Sequence, residues 1–123
     1  MADEQATILV VEDDVLVLAT LSKMLRRAGY TVIGATSGKE AIRLHHRFNS
    51  TIDMVLVDYF LPDLTGLEVA QELQKDYPSC KVLGMSGMLT TEQRFQSLGL
   101  QFILKPFGEG ELLSRISAYV ALR

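Results

Sequence analysis

The chain has 123 residues, of which 48% are hydrophobic and 22% charged, proportions of a globular protein with enough material for one core and no need of staples. A net charge of -3 speaks against direct nucleic-acid binding, which needs a basic face, so proteins or small ligands are the expected partners. No run approaches the roughly 20 apolar residues of a membrane span, and the acidic Met1–Gln5 is unlike a secretory leader, which together predict a cytoplasmic protein.

The elements alternate along the chain. Ile8-Leu9-Val10-Val11 reads as a strand over 7–11, followed by a helix over 15–28 on the spacing of Leu18, Leu21, Met24 and Leu25. Asp14 is placed to cap that helix at its start. Lys23, Arg26 and Arg27 before Gly29 read as its solvated, cationic C-terminus. A strand over 31–35 and a helix over 38–48 come next, then a strand over 53–57 built on Met54-Val55-Leu56-Val57. A helix over 66–76, a strand over 81–85, a helix over 91–98, a strand over 102–104 and a helix over 109–121 complete the series. Ser37 with Glu40, Thr65 with Glu68 and Thr90 with Gln93 have the spacing of capping boxes at three helix starts.

Five βα units whose strands are continuous Val/Ile/Leu runs predict a parallel sheet covered on both faces. The fold class is therefore α/β, doubly wound (βα)5, with the flavodoxin-like strand order 2-1-3-4-5. A single domain is expected over 1–123, with an ordered core at about 6–121 and no output domain. Cys80, alone in the chain, reads as a small half-buried hydrophobe, and His45 and His46, adjacent on one helix, as solvated residues.

Function is written at the strand ends. The first run stops on Glu12-Asp13, the third on Asp58, the fourth on Ser86 and the fifth on Lys105. In a parallel sheet these lie along the C-terminal rim, where such folds place their sites. Three converging carboxylates would recruit a hard divalent cation, and magnesium suits a shallow carboxylate cluster on loops. Cation, ammonium and hydroxyl meet the needs of a phosphoryl group, while Asp58, single at the end of a central strand, is the plausible nucleophile.

At these residues the chain resembles the receiver domains of two-component response regulators. The resemblance rests on Ile8–Asp14, on Val55–Asp58 with Leu61-Pro62-Asp63 and Gly66, on Met85-Ser86-Gly87, and on Lys105-Pro106-Phe107. It implies that Asp58 is the phosphoacceptor, Glu12 and Asp13 the acidic pair, Ser86 the switch hydroxyl and Lys105 the phosphoryl-binding lysine. It further implies Mg2+ as cofactor with the backbone carbonyl of Phe60 among its ligands, a cis Lys105-Pro106 bond, and Phe102 as the aromatic that turns inward on activation. A histidine kinase or phosphotransfer protein would be the donor, and a partner protein would read the surface of the last two helices and the strand between them. Met85-Ser86-Gly87 also resembles receivers attached to hybrid histidine kinases, and pairing into homodimers is common in the family.

Such a domain catalyses only its own phosphorylation and dephosphorylation, so it is not read as an enzyme. Phe60 and Met88 stand two residues beyond Asp58 and Ser86, and bulky apolar groups there predict a long-lived phosphoaspartate. A haloacid-dehalogenase-type phosphatase would want an aspartate where Phe60 stands. A nucleotide binder would need a phosphate-cradling loop where Glu12-Asp13-Asp14 would repel phosphate. The remaining alternative is a phosphate-independent interaction module of the same fold.

Overall fold

The computed structural model describes residues 6–121. Its elements are β1 (Thr7–Val11), α1 (Val15–Arg27), β2 (Thr31–Ala35), α2 (Gly38–Arg47), β3 (Ile52–Asp58), α3 (Gly66–Asp76), β4 (Val82–Ser86), α4 (Leu89–Gln96), β5 (Gln101–Leu104) and α5 (Glu109–Ala121). The strands form one parallel sheet in the order β2-β1-β3-β4-β5, as the alternation of elements predicts.

Two cores flank the sheet because successive strand residues point to opposite faces. On one face Ile8, Val10, Met54, Leu56 and Met85 meet Leu21 and Leu25 of α1 and Leu112 and Ile116 of α5. On the other, Leu9, Val11, Val55 and Val57 meet Ala41, Val69, Leu73 and Phe95 from α2, α3 and α4. β1 and β4 are buried at every position, and so is β3 from Met54 onward. Unbroken apolar runs are what two covered faces require.

Local signals set most boundaries. Asp14 caps α1 by accepting from the N–H groups of Leu16 and Val17. At the other end Tyr30 N–H donates to Leu25 O and Gly29 N–H to Arg26 O, a Schellman closure that needs the left-handed φ of 100° which Gly29 adopts. Both halves of the Thr65–Glu68 capping box form at α3. At α2 only one half does: Ser37 accepts from Glu40 N–H, while the Glu40 carboxylate turns to Thr36 N–H.

α4 departs from expectation. It begins at Leu89, two residues before the predicted start, so Thr90 lies inside its first turn and caps nothing. Met88 holds the cap position without a side-chain acceptor, and Thr91 instead bonds its hydroxyl back to Met88 O. His45 also departs. It is 3% exposed, its ring centroid 4.9 Å from that of Tyr77 and its Nε2 3.5 Å from Cys80 Sγ. His46 is the solvated one, with Nδ1 2.9 Å from the Tyr77 hydroxyl. Position 45 follows Ala41 by four residues, which places it on the buried face of α2.

Candidate functional site

Parallel register decides what meets at the rim. Asp58 pairs with Met85, and Tyr59 N–H donates to Met85 O, which sets the end of β3 beside Ser86. Lys105 N–H donates to Ser86 O at 2.8 Å and so carries the last strand's lysine to the same edge. The Lys105-Pro106 peptide is cis.

Three side chains converge there. The Lys105 ammonium lies 2.5 Å from Asp58 Oδ2 and 3.1 Å from Glu12 Oε1, spanning the two central strands. Asp58 Oδ1 accepts from Phe60 N–H at 2.9 Å, and Glu12 Oε2 from Asp14 N–H at 3.1 Å, so each carboxylate is held at both oxygens. Burial raises the Glu12 pKa to about 7, helped by the neighbouring Asp58 carboxyl and opposed by Asp14 N–H and Lys105. Burial alone would pull the Lys105 ammonium down, but its bonds and charge pairing with Asp58 and Glu12 outweigh that and lift its pKa above the ordinary value.

Two other predicted residues stand close by without joining the triad. Asp13 is exposed, projecting from the loop after β1. Ser86 is buried, and its hydroxyl accepts from Met88 N–H at 3.1 Å. Among the described residues no three histidine, cysteine, aspartate or glutamate side chains converge as a ready metal cage. The side chains gathered at the rim are nonetheless hard oxygen donors: the carboxylates of Glu12 and Asp58, with that of Asp13 next to Glu12 in the chain. A few such ligands with the remaining positions left to water is the way magnesium is held, so the donor set fits that ion.

The model of the response regulator receiver domain matches residues 8–117. The chain belongs to that family. This receiver domain is 35% identical over 113 residues to the uncharacterized transcriptional regulatory protein YrkP of Bacillus subtilis, covering 90% of this chain and 48% of that protein. It thus spans about half the length of the curated relatives it matches. Among solved structures, the non-phosphorylated HemR receiver domain of Leptospira biflexa superposes with a TM-score of 0.87 at 30% identity, covering 97% of each chain. The response regulator TrrA of Thermotoga maritima, in complex with Mg(2+)-BeF, superposes at 0.83 and 28% identity, covering 94% of this chain and 99% of that one. Among the described residues no helix of the receiver domain is long and apolar enough to cross a membrane.

Phe102 lies inward, 4% exposed, its ring centroid 5.6 Å from that of Phe95 of α4. Tyr59 and Phe60 meet edge to face with ring centroids 4.9 Å apart but differ in exposure: Tyr59 is buried and its hydroxyl accepts from Arg94 at 2.7 Å, whereas Phe60 is 52% exposed. Asp63, in the Leu61-Pro62-Asp63 stretch, faces the start of α2. Its carboxylate accepts from Gly38 and Lys39 N–H at the start of α2, at 2.8 and 2.9 Å. The signal for it was a helix start with one capping hydroxyl, Ser37, for four free N–H groups.

Proposed function

We propose that this receiver domain is a phosphorylation-activated switch that takes a phosphoryl group from the phosphohistidine of a histidine kinase or phosphotransfer protein onto Asp58. The observation that carries the reading is the Lys105 ammonium held between Asp58 and Glu12 at the end of the central strand. An Asp58 oxygen attacks phosphorus in line, the P–N bond breaks, and the leaving imidazole keeps the electron pair. Phe60 N–H and Lys105 hold the carboxylate's two oxygens and fix its direction of approach.

Asp13, Asp58 and the Phe60 carbonyl, with Glu12 beside Asp58, would hold Mg2+, which would supply neutralisation of the phosphoryl oxygens. Lys105 then exchanges a carboxylate partner for a phosphoryl oxygen, and Ser86 turns its hydroxyl toward another. That turn leaves Met88 N–H without its acceptor at the start of α4, a helix of eight residues with no side-chain cap. α4 is therefore the element that gives way, and its Phe95 passes the displacement to Phe102 on β5. The result is a population shift across the α4-β5-α5 surface, which a partner protein reads. Exposed Val15, Leu16, Met88 and Leu89 beside the site form an apolar rim on which the donor can dock.

The test is intact-mass measurement after incubation with Mg2+ and acetyl phosphate. One added phosphoryl group on the wild type and none on Asp58→Asn is the expected outcome. Equal uptake by Asp58→Asn overturns the nucleophile assignment, and no uptake by the wild type favours the phosphate-independent interaction module.

A further inference from the structure

The loop between β3 and α3 carries Phe60, and its two ends are tied internally. Phe60 and Thr65 form an isolated antiparallel bridge, and Gly66 N–H donates to Tyr59 O at 2.7 Å. The tip, 61–64, is tied differently. Asp63 Oδ1 accepts from Gly38 N–H and from its own neighbour Leu64 N–H, and Oδ2 accepts from Lys39 N–H. These are bonds from a carboxylate to the first free N–H groups of a helix, the arrangement in which anion and helix dipole reinforce each other. The same bonds hold the Asp63 carboxyl below the ordinary carboxylate range.

Packing independently requires the same closeness. A Cβ at Gly38 would lie 2.9 Å from Leu64 Cβ and 2.9 Å from Val69 Cγ2, so only glycine lets α2 approach the loop and the helix behind it. The start of α2 is thus shaped to receive the loop tip both by hydrogen bonds and by the lack of a side chain.

We propose that Asp63 is a positioning residue for the metal site: by anchoring the loop tip on the N-terminus of α2 it holds the Phe60 backbone where a cation shared with Asp58 needs it. The inference rests on the magnesium-dependent reading of the site given above. α2 itself has a second, separate cap in Ser37, whose hydroxyl accepts from Glu40 N–H within α2. That residue supplies the control. Both caps stabilise α2, but only Asp63 connects it to the site.

The experiment is calorimetric titration of the metal-free protein with Mg2+ alone, beside thermal unfolding of each variant. Asp63→Ala is expected to weaken Mg2+ binding about tenfold, the lower end of what loss of a supporting contact behind metal ligands costs. Ser37→Ala is expected to lower the melting temperature comparably and leave Mg2+ affinity within about twofold of wild type. Asp63→Asn keeps one carbonyl acceptor and should recover part of the loss, while Gly38→Ala, which wedges the loop away, should reproduce it. Should Asp63→Ala fail to fold, those last two variants decide. Wild-type affinity in the Asp63 and Gly38 variants, with only stability reduced, overturns the positioning role alone. No binding by the wild type overturns the magnesium reading itself.

Discussion

Removing the charge of Glu12 should change how stability depends on pH. The carboxyl is 2% exposed and its pKa is raised from 4.5 to about 7, first by burial and then by the adjoining Asp58. A group whose pKa is higher folded than unfolded contributes its full stabilisation below the unfolded value and loses it as pH rises through the folded one. The window here runs from about pH 4.5 to about pH 7. At about 1.4 kcal/mol per tenfold change the displacement corresponds to roughly 3 kcal/mol, and because Asp58 and Lys105 share the titration and the cleft admits solvent, about 2 kcal/mol is the working figure.

Glu12→Gln keeps the shape and carries no charge to be penalised. Relative to wild type it should gain about 2 kcal/mol between pH 5 and pH 8 in EDTA, or roughly 8 °C in melting temperature for a domain of this size. His45 titrates in the opposite sense. Its pKa is lowered by burial and then by His46, so its contribution is full above 6.5 and is lost as pH falls through the lower folded value. Because both proteins keep His45, the difference between them is the quantity to measure, by urea or thermal denaturation at each pH. A constant difference across that range would refute the assignment of a buried acid at position 12 whose desolvation outweighs its bonds to Lys105 and Asp14 N–H.

Three further outcomes follow from particular contacts. Lys105→Ala leaves Glu12 and Asp58 facing each other without their shared cation; it should cost about 1–3 kcal/mol in EDTA, restored in part by Mg2+, and should permit some phosphorylation while uncoupling the response, as denaturation and intact mass would show. Exposed Phe60 and Met88, at 52% and 51%, are expected to obstruct and fail to orient an attacking water, so a phosphoaspartate should persist well beyond seconds in the isolated protein, and polar replacement at both positions should hasten its decay in a mass-spectrometric time course. Partial burial pushes the Cys80 thiol up to about 11 from 9.0, so alkylation by iodoacetamide at pH 8 should run about a hundredfold slower than in the unfolded chain; equal rates would contradict the half-buried placement.

The fold was legible because its signals are local and repeated. Strand after strand is an apolar run ended by a polar residue, and the caps at Asp14, Ser37 and Thr65 all form. The failures have tertiary causes. Thr90 and Gln93 have capping-box spacing, but α4 starts earlier, where Met88 N–H finds Ser86 Oγ and Thr91 bonds back to Met88 O. His45 looked solvated because its neighbour is, yet its place four residues after Ala41 puts it against Tyr77 and Cys80. Asp63 reaches across 25 residues to backbone N–H groups, which leave no mark in a sequence beyond an undersupplied helix start.

The same distinction separates the chemical half of the site from its switching half. Glu12, Asp58 and Lys105 occupy strand ends, and once the strands are parallel and in the order β2-β1-β3-β4-β5 their meeting follows from register alone. No such geometry fixes where a helix lies on the sheet. α4 is held by side chains: Phe95 against Phe102, and Arg94, which both donates to the Tyr59 hydroxyl and lies over its ring at 5.9 Å. Tyr59 is the residue directly after Asp58, so the helix that moves in the proposed switch is fastened to the strand end where the phosphoryl group would arrive. On that proposal, movement of α4 would have to break or carry with it a contact one residue from Asp58, and the strength of the Arg94–Tyr59 pair would set part of the resistance that phosphorylation must overcome.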